Sequence, residues 1–177
     1  MTKIPEAELE RYMFNLVNQE RTVKDLRQLQ RNPKLTAMAK QHSESMRSIG
    51  FFDHHSPVRG YETLLERVQR VGFNYAAIGE NIHLIYSPTD DIDYRWVELS
   101  MHGGSITIST TEHRYSGIVT VNHTINGKGL MHSPGHRANI LRTDFQLLGV
   151  GISCGYGTHQ NQHTYGMWAT QVFGNGR

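Results

Sequence analysis

Cysteine is nearly absent: Cys154 is the single one in 177 residues, so no intrachain disulfide can form and the fold must rest on its apolar core. Set in the apolar run around Gly149 to Cys154, that thiol reads as an inert core group. Long apolar runs are missing too. None approaches the roughly 20 residues that cross a bilayer, which removes a helical membrane span. Behind Met1-Thr2-Lys3-Ile4-Pro5-Glu6 there is no apolar stretch of the kind a secretory leader carries. That start leaves two readings, a cytoplasmic protein or a mature domain already freed of its leader. Charge of one sign is also scarce. The net charge is +2 with the basic residues scattered, which gives no support to a nucleic-acid or anionic-membrane partner. Internal repeats and low-complexity segments are absent.

What is present describes one domain over residues 1–177. Hydrophobic residues make up 37% and charged residues 19%, enough apolar mass for a real core. Histidine is in excess, at 11 residues. Of these, His102, His113, His123, His159 and His163 show no partner in the sequence and read as surface groups.

Residues 6 to about 21 have helical period, with Leu9, Met13, Leu16 and Val17 on one face after a glutamate-rich first turn. Asn32-Pro33 predicts a second helix start. Its stripe is Leu35, Met38, Ala39, His42, Met46 and Ile49, and Gly50 ends it. His42 on that stripe reads as a core histidine bonded to a backbone carbonyl. Phe51 to Pro57 is a loop packed by two aromatics. A third helix over 61–71 would turn Leu64, Leu65 and Val68 inward and stop at Gly72. Ile78-Gly79-Glu80-Asn81-Ile82 is a short apolar run holding a carboxylate and an amide, and Asn81 reads as a group that orients Glu80. Ser87-Pro88 predicts a fourth helix that buries Ile92, Trp96 and Leu99.

Residues 103–129 differ in composition, being rich in Ser, Thr and β-branched types. Ser105–Thr110 and 117–125 alternate like the two strands of an inserted hairpin. Two stronger strands follow at 147–154 and 165–173, joined by a loop that reads as exposed and mobile. Helices first and strands later predict an α+β domain with helices packed on an antiparallel sheet.

The stretch that organises the rest is Met131-His132-Ser133-Pro134-Gly135-His136-Arg137-Ala138-Asn139-Ile140-Leu141. Ser133 is a capping residue type and Pro134 suits a first helical position. His136 then stands in the first turn of a helix anchored by Ile140 and Leu141, a rigid way to present an imidazole to a cleft. Arg137 reads as a brace for the preceding loop.

Several motifs in order resemble one family. They are Leu16-Val17-Asn18-Gln19-Glu20-Arg21, Asn32-Pro33-Lys34-Leu35, Phe52-Asp53-His54-His55-Ser56-Pro57, Gly79-Glu80-Asn81-Ile82, the Ser133–Leu141 stretch, Gly149-Val150-Gly151 and Trp168-Ala169-Thr170-Gln171-Val172-Phe173-Gly174. Together they resemble the CAP superfamily of cysteine-rich secretory proteins, antigen 5 and class 1 pathogenesis-related proteins, in its compact bacterial branch. The resemblance implies a three-layer α-β-α sandwich with a central cleft. It implies an extracellular, periplasmic or cell-surface location, and a cleft tetrad of two histidines and two acids that binds zinc or another divalent ion in some members. Residue by residue, the first histidine falls on His54, with His55 as the alternative. The acid falls on Glu80 and the second histidine on His136. The fourth falls on Glu98, which follows Trp96 one position earlier than the family pattern places it.

Two neutral imidazoles, His54 and His136, make a weak and open metal site, with Glu80 accepting hydrogen bonds from water on the ion. Binding of that kind is lost as the histidines protonate near about 6.5. The competing reading is a buried polar network that pins loops to the core with no ion. Three functions follow. The first is a monomeric binding domain that holds a divalent metal and a lipid, sterol or peptide. The second is a metal-dependent hydrolase with Glu80 as general base, Glu98 being the other acid available to it. The third is a structural module without metal. The binding domain is favoured over the enzyme because the site has few ligands. Ser56 and Ser133, each next to a proline, are better explained by capping than as nucleophiles.

Overall fold

The computed structural model describes residues 6–88, 97–102, 105–110, 119–120 and 130–176. The elements are α1 (Glu6–Val23), β1 (Gln30–Arg31), α2 (Pro33–Ile49), α3 (Leu64–Arg70), β2 (Tyr75–Pro88), β3 (Val97–His102), β4 (Ser105–Thr110), β5 (Val119–Thr120), α4 (Pro134–Leu141), β6 (Leu147–His159) and β7 (Gln162–Gly176).

A four-stranded sheet runs in the order β1-β6-β7-β2. It is antiparallel except for β1, which lies parallel to β6. Strand alternation sorts its side chains into two layers. Leu148, Val150 and Ile152 join Leu9, Met13, Leu16 and Val17 of α1 in one buried cluster with Ile140 of α4. Val172 joins Leu35, Met38 and Ala39 of α2 and Val68 of α3 in another. The helices thus cover both faces and the architecture is α-β-α. On the α2 face, β6 presents Gly149 and Gly151. A Cβ at Gly149 would stand 2.1 Å from the Leu35 carbonyl carbon, and one at Gly151 would stand 2.1 Å from the Lys40 nitrogen. The missing side chains let α2 lie directly on the sheet.

Local chemistry sets the helix ends. Asn32 caps α2 by accepting from the N–H groups of Lys34 (3.0 Å) and Leu35 (3.1 Å). Gly50, at φ 83°, ends it in the left-handed conformation. Thr63 and Glu66 form a reciprocal capping box on α3. Arg21 is fully buried at the end of α1. It donates to the carbonyls of Ile140 and Arg142 at 2.8 Å, closing the C-terminus of α4.

Several sequence expectations are corrected. The helix start expected at Ser87-Pro88 is instead the end of a strand, and residues 89–96, where the rest of that helix is expected, lie outside the described residues. β2 continues through Pro88, a residue tolerated at the end of an edge strand, and Leu99 lies in β3; Ile92 and Trp96 lie outside the described residues. β3, β4 and β5 form a separate three-stranded sheet, so the expected hairpin partners Ser105–Thr110 and Val119–Thr120 pair, with β3 added. Residues 155–163 are not an open loop. They extend β6 and β7 into one long hairpin whose turn is Gln160-Asn161, at φ 51° and 62°. On its arm the Tyr156 and His163 rings stack at 5.2 Å. Helix α3 is shorter than expected and Leu65 is exposed, because the apolar period runs through Leu64 and Val68.

Candidate functional site at the edge of the sheet

Glu80 lies on β2, opposite Val172 of β7. Directly opposed residues share a face, so Glu80 joins Val172 on the side of α2 and α3. Its neighbour Asn81, opposite Gln171, points to the other side. The short apolar run around Glu80 is therefore part of a strand. Among the described residues β2 is an edge strand of the sheet, and the cluster is built around that edge.

Three side chains meet the Glu80 carboxylate. Arg67 of α3, 1% exposed, donates through Nη2 to both Oε1 and Oε2 at 2.8 Å. His54, in the Phe51–Pro57 loop, places Nδ1 2.9 Å from Oε1. His42 of α2 sits with Nε2 4.0 Å from the same oxygen and 3.1 Å from the Asp53 carbonyl oxygen. This agrees with the reading of His42 as a core histidine on a backbone carbonyl. His54, by contrast, keeps 54% of its side chain exposed, so its Nδ1 face is anchored while the ring opens to solvent.

The electrostatics follow from these contacts. Burial alone would raise the Glu80 carboxyl, but the His54 hydrogen bond and the Arg67 charge outweigh it and hold the group below its ordinary value. The bond to Glu80 raises His54 above 6.5 against partial burial. Burial lowers His42 to about 4, more than the Glu80 charge restores. Burial, and then the neighbouring His54, lower His136.

His136 stands in the first turn of α4. Ser133 is the residue before that helix but makes no side-chain capping bond, and Pro134 opens it. His136 does not bond to Glu80. It is tied in through the main chain: Asn81 Nδ2 donates to the His136 carbonyl oxygen at 3.1 Å and to Gln171 Oε1 at 3.0 Å. Asn139 Nδ2 donates to the Glu80 carbonyl oxygen at 3.1 Å and to Asn81 Oδ1 at 2.9 Å. These amides fasten α4 along the outer edge of β2. Gly79 makes room for them, since a Cβ there would lie 3.1 Å from Asn139 Oδ1. The three residues singled out from sequence thus share one edge, but contact is direct only between His54 and Glu80, and His136 couples to His54 through charge.

Other assignments change. Arg67, and not Asn81, orients the Glu80 carboxylate, and nothing in the sequence reading singles Arg67 out. A signal exists, since Arg67 falls three residues after Leu64 and next to Val68, on the inward stripe of α3. His55 does not replace His54 on Glu80; its backbone N–H donates to Asp53 Oδ1 at 2.7 Å. Arg137 stands beside the preceding loop residues Met131 and His132. It is exposed and lines a hollow with Met131, His132, Pro134, Ala138 and Leu141 on the far side of α4. Glu98 lies in β3, in the separate sheet, and its side chain lies outside the described residues. Burial pushes the Cys154 thiol far above its ordinary value, as expected of an inert cysteine. Among the described residues no group of three or more His, Cys, Asp or Glu side chains is arranged to hold a metal ion. No described helix is long and apolar enough to cross a membrane.

Comparison with known proteins matches the fold and the sequence of this chain. A solved structure of an extracellular protein containing an SCP domain from Bacillus anthracis str. Ames superposes with a TM-score of 0.61 at 22% identity, covering 99% of this chain and 45% of that one. An outer surface protein from Borrelia burgdorferi gives a TM-score of 0.62 at 15% identity, with 99% and 98% covered. Both likenesses concern the fold. In sequence, the chain is 26% identical over 142 residues to an uncharacterized protein, YkwD, from Bacillus subtilis (strain 168), spanning 80% of this chain but 41% of that relative. The model of the cysteine-rich secretory protein family, CAP, matches residues 14–173. With its single cysteine, the chain belongs to that family.

Proposed function

We propose that this chain is an extracellular or cell-surface binding domain whose edge site takes a divalent cation weakly, through His54 and His136. One observation carries the reading: His54 is anchored at Nδ1 by Glu80, which leaves Nε2 on an exposed ring. A carboxylate behind an imidazole fixes its tautomer and raises its basicity, the arrangement that serves metal-binding histidines. The donor set limits what that role can be. Both Glu80 oxygens are engaged by Arg67, and Glu80 is 8% exposed, so it supports a ligand and is not one. That leaves two imidazoles, fewer than the three of catalytic zinc sites, so the residues fit a weak and open site. When bound, the ion would supply a Lewis-acid centre with open positions. His54 and His136 would hold it, Glu80 would keep His54 turned outward, and Asn81 and Asn139 would keep α4 against β2.

The hydrolase reading is the weaker one. A general base needs a carboxylate free to take a proton, and Glu80 is clamped, buried and held below its ordinary value. A lipid, sterol or peptide beside the cation remains part of the binding proposal, supported by the family alone. The extracellular placement rests on the fold neighbours named above.

Calorimetric titration of the metal-free protein with zinc tests the proposal. Saturable binding at neutral pH is expected, weakened at least about tenfold by His54→Ala or His136→Ala, in line with the sensitivity of metal sites to single contacts. Absence of saturable heat, or equal affinity in both variants, removes the cation site.

A further inference from the structure

We infer that Arg67 is the positioning residue of this site, acting on His54 from two sides at once. Nη2 clamps the Glu80 carboxylate at 2.8 Å on each oxygen. Nη1 donates to the His54 carbonyl oxygen at 3.0 Å, to the Tyr61 carbonyl at 3.1 Å and to the Glu62 carbonyl at 3.4 Å. One planar group thus fixes the backbone that carries the imidazole and the acceptor that meets its ring. The inference rests on the reading of His54 as the working imidazole, and it adds how that imidazole is set.

The consequence is chemical. A carboxylate with both oxygens held by a guanidinium cannot turn or leave, and it offers His54 Nδ1 only an acceptor. The neutral ring must therefore carry its proton on Nδ1, and its lone pair sits on Nε2, facing out. A lysine cannot substitute. Its compact ammonium does not span both carboxylate oxygens and the carbonyls on the other side, so the fork shape is needed as well as the charge. A residue that only stabilised the fold would not fix the tautomer of a half-exposed ring 13 positions away in sequence.

The experiment uses the full chain, nitrogen-15 labelled and metal-free. Long-range proton–nitrogen correlations of the imidazole rings are recorded at alkaline pH, where the rings are neutral. In the unaltered protein His54 is expected as one tautomer, protonated at Nδ1. In Arg67→Lys, with amide dispersion retained, its ring nitrogens are expected to shift toward the average of both tautomers. If Arg67→Lys does not fold, Arg67→Gln, which leaves Glu80 in place as the acceptor for His54 Nδ1, is read the same way, with the same averaging expected. A folded variant that keeps His54 wholly Nδ1-protonated overturns the inference and leaves Arg67 a structural clamp. So does an unaltered protein whose His54 is already averaged. Because no metal is present, the result is separate from the zinc titration, and either can fail while the other stands.

Discussion

The backbone N–H of Ile152 donates to Glu10 Oε1 at 3.2 Å, across 142 residues of sequence. Two residues on, the Cys154 N–H donates to Glu6 Oε1 at 2.9 Å. Among the described residues β1 pairs only with Leu147 and Leu148, so β6 beyond that point has an open edge toward α1. Open edges invite pairing with other chains, and here two glutamates one turn apart on α1 take the exposed donors. Lys40 Nζ, 2.8 Å from Glu10 Oε2, holds the second oxygen. Glu10→Ala is expected to cost about 1–3 kcal/mol through the unpaired buried donor, and to raise concentration-dependent association. Urea denaturation and light scattering measure the two effects. Unchanged values for both would show that water satisfies the edge.

Close approach of α2 to the sheet gives a second prediction. A methyl at Gly151 meets backbone on α2, at 2.1 Å from the Lys40 nitrogen and 2.2 Å from the Ala39 carbonyl carbon. Backbone cannot swing aside as a flexible side chain can. Gly151→Ala is expected to cost about 3 kcal/mol, at the upper end of overpacking effects, read as a lower urea midpoint. Gly135, where an added Cβ meets nothing within 4 Å, is the control, and Gly135→Ala should leave the midpoint near its original value.

Local signals make much of the fold legible. Asn32-Pro33 and Gly50 bracket α2 because capping and left-handed glycine are local chemistry. The apolar stripe of α1 and the strands after 147 follow from periodicity. The part that stays hidden depends on distant partners. Nothing near Ser87-Pro88 says that β7 waits to extend β2 through Pro88, which makes a helix start the natural reading. At the site, His54 and Glu80 come from motif resemblance, and His136 shares their edge. Arg67 escapes notice because a cation between apolar helix positions reads as surface until an acid is shown beneath it. Glu10 is hidden for the same reason, as a carboxylate whose acceptor role exists only once β6 arrives.

The tip of the long hairpin yields a stabilising change. Gln160 at φ 51° and Asn161 at φ 62° both occupy the left-handed region, the pattern of a two-residue turn that favours Asn-Gly. Asparagine tolerates that conformation better than glutamine, and glycine adopts it freely. The double substitution Gln160→Asn with Asn161→Gly is expected to add about 0.5–1 kcal/mol and raise the melting temperature. A lower melting temperature would mean that the present side chains contribute contacts worth more than the turn strain.

Acid should weaken this protein through His42. The ring is fully buried, faces Glu80, Arg67 and His54, and holds its proton only below about 4. The unfolded chain takes up that proton near 6.5, so the contribution is complete above 6.5 and declines as pH falls from there toward 4, by up to about 3 kcal/mol. His54 works in the opposite sense: its value is raised, so its contribution is full below 6.5 and is lost as pH rises through the folded value. Because His54 is half in solvent, screening keeps its share the smaller. The net expectation is a falling urea midpoint between about pH 6.5 and pH 4, with a slope near one proton. His42→Gln keeps an N–H donor for the Asp53 carbonyl but cannot take up a proton, so it should flatten that slope while costing some stability at neutral pH. An equally steep slope in the variant would assign the acid sensitivity to another histidine lowered in the fold, His136, since Glu80, held below its ordinary value, gives way only at lower pH.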